Sequence, residues 1–374
     1  MKILVVSPYL YPQGSGVGRI ASCVINELAA MNNHVVVVSS AKKNKVISIN
    51  NLKIINRKPL FYFSNTPLRF RLFFDLTKII KKNDFDFILA FSPVPYYADI
   101  AAIVSKISKI PYFLSYNTFD TRREKKFINF ITFIHRNLIE RFTFLRARRI
   151  FINSKYLFTA NILAKCNKKL SYVTTGIDKQ LFKPAMATKQ DYILYVGPLN
   201  SGQYWKGVNY LVQAIKILSR QNINVQLKIV GSGNRVEYYQ LRSKKLGIEN
   251  VVEFLGYKSN EDLVYLYQNC KFLVLPSFDR AELVPTAITE AFACQKTVVS
   301  TKCAGIPYLV QDGIDGLLVE PKNSTALAVA ITKLWNDEKL RQSLENNAFS
   351  KASSFSWNQM AQDIIKEIKS NLKI

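Results

Sequence analysis

The feature that most constrains this chain is an alternation of strand and helix that runs twice. Residues 2–7 (KILVVS) are apolar and β-branched, and a glycine-rich loop leads from them to residues 18–31 (GRIASCVINELAAM). There Ile20, Val24, Leu28 and Met31 share one helical stripe. Further apolar runs follow at 34–38 (HVVVV) and 85–90 (FDFILA), as expected of strands buried on both faces. The pattern restarts at 192–197 (YILYVG), with a helical segment at 207–220 and a strand at 225–230 (VQLKIV). Repetition of this kind builds parallel sheets covered by helices, so the sequence predicts an α/β chain of two doubly wound, Rossmann-like domains. Length agrees, because 374 residues exceed the roughly 250–300 at which one core stops growing. The join is expected near 181–187 (LFKPAMA), where proline breaks regular structure.

Charge divides the chain unevenly. Residues 1–185 hold 30 Lys and Arg against 9 Asp and Glu, whereas the remainder holds 22 against 17. A half this basic can meet anionic lipid, nucleic acid or a phosphorylated substrate, and charge alone does not choose among them. The five cysteines are scattered, with no Cys-x-x-Cys pair and no histidine to complete a zinc site, which points to reduced thiols in a cytoplasmic compartment. Pro8 and Pro12 interrupt the first apolar run before it reaches signal-peptide length. No stretch approaches the ~18 apolar residues that a spanning helix needs.

The loop at 9–18 (YLYPQGSGVG) places glycines ahead of a helix, where backbone N–H groups can approach a phosphate or sugar. A nicotinamide site would also want an acidic residue at the end of the second strand. That place reads VSSAK at 38–42, which disfavours it. Residues 276–294 (PSFDRAELVPTAITEAFAC) are more specific. Pro285 suits a first helical turn, so Glu282 falls in the loop ahead of a helix bearing Glu290. The unpaired N–H groups of that helix can hold a diphosphate, while carboxylates on either side accept hydrogen bonds from sugar and ribose hydroxyls.

With these residues in place the chain resembles the retaining GT-B glycosyltransferases of the large family 4 group, which carry two glutamates with seven residues between them. Other matching stretches are 175–182 (TGIDKQLF), Val196 and Gly197 with Lys206 and Gly207, 229–233 (IVGSG), 254–256 (FLG), Pro276 with Ser277, and Gly305 with 312–316 (DGIDG). The resemblance covers nearly the whole chain. It implies an acceptor-binding domain at 1–183, a nucleotide-sugar-binding domain at 184–355 and a last helix, 356–374, crossing back to the first domain, with the two domains facing across a cleft. It also implies that Glu290 holds the donor ribose, Glu282 contacts the transferred sugar and Lys206 neutralises the departing diphosphate. Gly16, in the first loop, admits the donor closely, and Gly197, Gly231 and Val284 belong to the donor site. A metal and a resident cofactor are not expected, the co-substrate being a nucleotide-diphosphate sugar. The Asp-x-Asp of Asp84 and Asp86, a metal motif in other glycosyltransferases, reads here as the ordinary start of a buried strand.

Three departures from the family stand out. Pro198 replaces an arginine that commonly shares the diphosphate, for which Arg280 is the available substitute. Asn117 stands where many members carry a histidine near the reacting carbon; it can donate a hydrogen bond but does not titrate near neutral pH. Val284 and Pro285 partly replace a Phe-Gly pair, and Pro285 has no N–H to offer. Neither His34 nor His135 is a base candidate.

Residues 122–149 carry nine Arg and Lys, with Phe127, Ile131, Ile134, Leu138, Phe142 and Leu145 at near-helical spacing. Such a helix either lies in an anionic membrane interface or packs its apolar stripe on the core and solvates its basic face. Residues 57–74 repeat the mixture of rings and positive charge. Together these features predict sugar transfer to a glycan or lipid-linked acceptor in cell-surface polysaccharide or glycolipid synthesis, at or near the inner face of the plasma membrane. The alternatives are a nucleotide-sugar epimerase of the same fold and a basic nucleic-acid-binding protein; no nucleic-acid module is recognisable, so nucleic acid is not expected as a partner.

Overall fold

The computed structural model describes all residues except 14, 64–65, 93–94, 118–125, 161–162, 186–189 and 373–374, and all described side chains except those of 15 and 126–128. The chain forms two compact units, Met1–Gly176 with Trp357–Ile374, and Ile177–Ser356. The border falls at Gly176, seven residues before the expected 183, because the segment that follows packs Ile177 and Phe182 into the second core.

The first unit runs β1 (Lys2–Ser7), α1 (Ser15–Ala30), β2 (His34–Ser40), β3 (Lys45–Ile49), β4 (Leu52–Arg57), the hairpin of β5 (Phe61–Phe63) and β6 (Thr66–Leu68), α2 (Leu72–Lys81), β7 (Phe87–Ser92), α3 (Tyr97–Ser108), β8 (Tyr112–Tyr116), α4 (Lys126–Arg146), β9 (Ile150–Ile152) and β10 (Leu170–Tyr172). Its main sheet is ordered β10-β9-β8-β7-β1-β2-β4-β3. All neighbours are parallel except β3, which pairs antiparallel with β4 at the edge. The central strands are buried along nearly their whole length, which is why they read as continuous apolar runs rather than alternating ones. Asp86 caps the entry to β7 by accepting the Lys2 backbone N–H at 2.7 Å. That is the structural role expected for the Asp-x-Asp pair.

The second unit contains β11 (Tyr192–Val196), α5 (Val208–Arg220), β12 (Gln226–Val230), α6 (Val236–Lys245), β13 (Val252–Gly256), α7 (Asn260–Asn269), β14 (Leu273–Leu275), α8 (Thr286–Ala293), β15 (Val298–Thr301), α9 (Ile306–Leu309), β16 (Gly316–Val319), α10 (Ser324–Asn336) and α11 (Glu338–Ala352). The sheet order is β13-β12-β11-β14-β15-β16, with every pairing parallel. Strand order reverses between β11 and β14. Loops leaving the carboxyl ends of those two strands diverge, and a crevice opens between them. The last helix, α12 (Trp357–Leu372), belongs to the first unit and buries Met360, Ala361, Ile364 and Ile368 in a cluster with Ile20, Val24 and Leu28 of α1.

Helix α4 departs from the predicted stripe. Ile134, Leu138 and Leu145 are exposed, Leu138 to 68%, and so are Phe130, Phe133 and Ile139, which the stripe omits. Ile131 and Phe142 are half-buried, and the side chain of Phe127 lies outside the described residues. The inner face instead buries Glu140, Thr143 and Phe144. Asp99 of α3 explains which face turns inward: it takes a 2.6 Å hydrogen bond from Thr143 Oγ1 and lies 2.8 Å from His135 Nε2. The polar groups need buried partners on this side, so the apolar ones face outward. Among the described residues, no helix is long and apolar enough to cross a membrane.

Candidate active site

The site grows from the switch point of the second sheet. After β11 the chain forms a tight turn at Ser201–Lys206, and Gly207 then adopts φ +80°, a left-handed conformation that starts α5. A Cβ at Gly207 would fall 2.0 Å from the carbonyl oxygen of Pro276, so only glycine lets this turn lie against the loop after β14. The approach brings Lys206 to Glu282. Its Nζ donates to Glu282 Oε2 at 2.7 Å, and Ser277 Oγ donates to the same oxygen at 2.6 Å. Glu282 is only 4% exposed. A carboxylate this buried requires both donors, since an unpaired charge would cost several kcal/mol. Lys206 Nζ also lies 4.8 Å from the Trp205 ring centroid, which holds the ammonium from a second side.

The Glu282 loop is fixed from below. Gly305 N–H donates to Glu282 O at 2.9 Å, and a Cβ on Gly305 would sit 1.7 Å from the Leu283 carbonyl oxygen. Thr301 Oγ1 donates to the carbonyl of Ser277. Pro285 caps α8 rather than occupying its first turn, and it gives the helix start no side-chain cap hydrogen bond. Glu290, one turn further on and 4% exposed, accepts a 3.0 Å hydrogen bond from Tyr267 of α7. Burial first, and Glu290 next to it, push the Tyr267 hydroxyl well above its ordinary pKa, so it remains a donor to the carboxylate. Burial, with Glu282 and Asp279 nearby, likewise pushes the Cys303 thiol up to about 12 and leaves it inert.

The structure therefore brings Lys206 and Glu282 into direct contact and places Glu290 on the adjoining helix. Gly197 and Gly231 meet behind them, where a Cβ on Gly231 would fall 1.9 Å from Gly197 O; here they pack the loops after β11 and β12 together. Val284 packs half-buried against the core of the second unit. Arg280 is exposed.

In the first unit Gly16 proves to lie in the first turn of α1, not in the loop, and open space surrounds the position of its missing Cβ. Gly18 is the glycine that close approach demands, with a Cβ there only 2.0 Å from Gln13 O. Asn117 follows β8, its Nδ2 donating to Ser115 Oγ at 2.8 Å while its buried Oδ1 has no partner among the described residues. His135 is held by Asp99; burial opposes its charge, but the Asp99 contact prevails and raises its pKa. Among the described residues no group of three or more His, Cys, Asp or Glu is placed to hold a metal ion.

Sequence reasoning assigned no role to Ser277 or Tyr267. Ser277 carried a signal, since with Pro276 it follows the apolar run of β14. Tyr267 carried none, because its partner lies 23 positions away and only the packing of α7 beside α8 joins them.

Comparison with known proteins accounts for this arrangement. The sequence model described as Glycosyl transferases group 1 matches residues 176–351, and that described as Glycosyltransferase Family 4 matches residues 14–181. An uncharacterized glycosyltransferase of Methanocaldococcus jannaschii is 27% identical over 98% of this chain and 97% of its own. The N,N'-diacetylbacillosaminyl-diphospho-undecaprenol alpha-1,3-N-acetylgalactosaminyltransferase of Campylobacter jejuni is 28% identical over 79% of each chain. Among solved structures, a glycosyltransferase of Rickettsia africae matches 100% of this chain and 98% of its own with TM-score 0.76 at 19% identity. Anabaena HepE, solved with UDP and glucose, matches 99% of this chain and 100% of its own with TM-score 0.77 at 21% identity. The fold is GT-B, and the chain belongs to the group 1, family 4 glycosyltransferases, enzymes that transfer a glycosyl group.

Proposed function

We propose that the protein is a retaining glycosyltransferase that takes a sugar from a nucleotide-diphosphate donor and passes it to a lipid-linked glycan. The observation that carries this reading is the buried Lys206–Glu282 pair at the switch point, one helix start away from Glu290. As the glycosidic bond to the diphosphate breaks, negative charge grows on the leaving oxygens. A fixed ammonium in a poorly solvated site stabilises that charge without first having to reorganise. Lys206 supplies it, and Ser277 keeps Glu282 oriented when Lys206 turns toward phosphate. Glu282 then accepts hydrogen bonds from the transferred sugar and Glu290 from the ribose. Glu282, tied to Lys206 and Ser277, acts in this scheme as a hydrogen-bond acceptor and not as a covalent nucleophile, and the acceptor attacks from the face of departure. Arg280 supplements Lys206 where Pro198 cannot, and Val284 borders the donor. No metal takes part in this scheme.

The lipid-linked acceptor rests on two further observations. The Campylobacter relative is named for a diphospho-undecaprenol acceptor. The first unit also exposes Leu60, Phe61 and Phe70 around its hairpin, Phe74 on α2, and the outer face of α4, in the half of the chain with the large cationic excess. Aromatic and aliphatic side chains among cations fit the headgroup boundary of an anionic bilayer, so the enzyme works as a peripheral protein on the cytoplasmic leaflet.

Calorimetry of Lys206→Ala with nucleoside diphosphate tests the donor assignment. Binding is expected to weaken at least tenfold with the fold retained, and unchanged affinity would remove its centre. Sedimentation with neutral and anionic vesicles tests the surface, and equal recovery in both supernatants would end it.

A further inference from the structure

A cavity of about 510 Å³ opens in the second unit at the starts of α5 and α10, lined among others by Tyr204, Asn209, Tyr210, Arg242, Phe278 and Lys322. Its volume lies within the ~300–1,000 Å³ usual for small-molecule sites. Lys206, Glu282 and Glu290 do not line it, so the donor reading makes no use of it. The Phe278 ring is its hub. Tyr204 and Tyr210 meet that ring edge-on, with centroids 5.7 and 5.6 Å away, and Lys322 Nζ stands 4.9 Å from its centroid.

Three details separate this cavity from an ordinary surface hollow. Among the described residues, the buried Asn209 Oδ1 receives no hydrogen bond and the buried Arg242 Nε gives none. Orphans of this kind are rare in a folded protein unless something else completes them. Arg242 and Lys322 take part in no ion pair among the described residues, although one cavity holds both charges. Lys322 itself is held at φ 62°, a conformation that a residue with a Cβ seldom adopts and that tends to persist where function demands it.

We infer that this cavity is a second saccharide site, built for a sugar residue that carries an acidic group. The ligand must present negative charge to Arg242 and Lys322, hydroxyls to the polar side of the cavity at Asn209 and a face of C–H bonds to the aromatic rings. A pyranose bearing a carboxylate or a phosphate supplies all three. A bare anion offers no apolar face, and a neutral sugar leaves both cations without a counter-charge. The donor site and this one are chemically complementary uses of the same domain: one holds the sugar being moved, the other an acidic sugar of a chain or a phosphosugar. The inference stands on the cavity's own residues, independent of the donor assignment.

Ligand-observed NMR titrations of the full chain test it with four probes: a glucuronate-containing disaccharide, glucose 1-phosphate, cellobiose and inorganic phosphate. At least one acidic saccharide is expected to bind tenfold or more tightly than both cellobiose and inorganic phosphate. Whichever of the first two binds better identifies the acid as carboxylate or phosphate. Arg242→Gln and Lys322→Gln are each expected to weaken that binding at least fivefold while donor hydrolysis stays within twofold of the parent. Lys206→Ala should leave it unchanged, which separates failure here from failure of the donor reading. Equal binding of cellobiose, equal binding of inorganic phosphate, or indifference to both cavity substitutions would each overturn the inference.

Discussion

The loop after β14 and the helix α4 treat polar and apolar side chains in opposite ways. In the loop, charge is drawn inward: Glu282 is buried, and Lys206 and Ser277 both donate to one of its oxygens. On α4 apolar groups are turned outward, with Phe133 65% and Leu138 68% exposed while Glu140 and Thr143 lie inside. Each arrangement costs stability in isolation, since a buried charge needs compensation and exposed rings order water. The difference teaches that the two regions face different partners. The first is preorganised for a charged ligand, the second for a surface that removes apolar area from water.

The comparison breaks most sharply at Glu290. Glu290→Gln is expected to lower the rate of sugar transfer by ~10²–10³-fold, the scale seen when a preorganised polar contact is removed, with the fold retained. Steady-state transfer or donor hydrolysis reads this directly, and wild-type turnover would contradict the assignment. Next comes Gly305→Ala. Its Cβ cannot coexist with the Leu283 carbonyl, so the Glu282 loop must move. Both stability, by ~1–3 kcal/mol in denaturant titration, and transfer should fall. A variant that is less stable yet fully active would show that the loop position is not needed for chemistry.

On the other side of the comparison, the pair Phe133→Glu and Leu138→Glu should reduce partitioning onto anionic vesicles by tenfold or more, because burying each such side chain contributes ~1.5–3 kcal/mol. Stability in solution should change by no more than ~0.5 kcal/mol per site. Unchanged sedimentation would leave α4 without a membrane role.

The smallest expected effect concerns pH. Burial, opposed chiefly by His135 and Arg136, pushes the Glu140 carboxyl up to about 7. A carboxyl whose folded pKa is raised stabilises the fold fully below its unfolded value of 4.5, and that contribution disappears as pH climbs to about 7. His135, also raised, adds a loss on the alkaline side of its ordinary 6.5. Asp99, lowered despite its burial by His135, Thr143 and the Tyr96 N–H, works in the opposite direction and matters only under acid. Stability of the first unit should therefore decline as pH rises from about 4.5 to neutrality. Glu140→Gln should flatten that decline by a few degrees of Tm, at ~2–4 °C per kcal/mol. An unaltered slope in melting curves taken across this range would contradict it.

Much of this fold was legible because its physics is local. β1, β2, β7 and β11 are buried on both faces, and only unbroken apolar runs satisfy that condition, so they appear in the sequence almost at their true bounds. Glu282 and Glu290 were legible for a similar reason: a proline-marked helix start fixes a loop carboxylate and a helical one at a set spacing. Gly16 was misplaced because α1 begins at Ser15, earlier than its apolar stripe, which starts only at Ile20, reveals. The direction of the α4 stripe stayed open because periodicity reports that one face is apolar but not which way it points.

By itself the sequence determined two doubly wound domains, a carboxylate pair bracketing a helix start, and a basic first half rich in aromatics. Those properties follow from hydrophobic period, turn chemistry and charge, each of which acts over a few neighbouring residues. Tertiary structure alone decided that Lys206 reaches Glu282 across 76 positions, that Tyr267 holds Glu290 and that α4 turns its rings outward. It also decided that Asn209, Arg242 and Lys322 line one cavity. These outcomes depend on where the strand order reverses and on which buried polar group finds a partner, and both are set by the packing of segments distant in sequence.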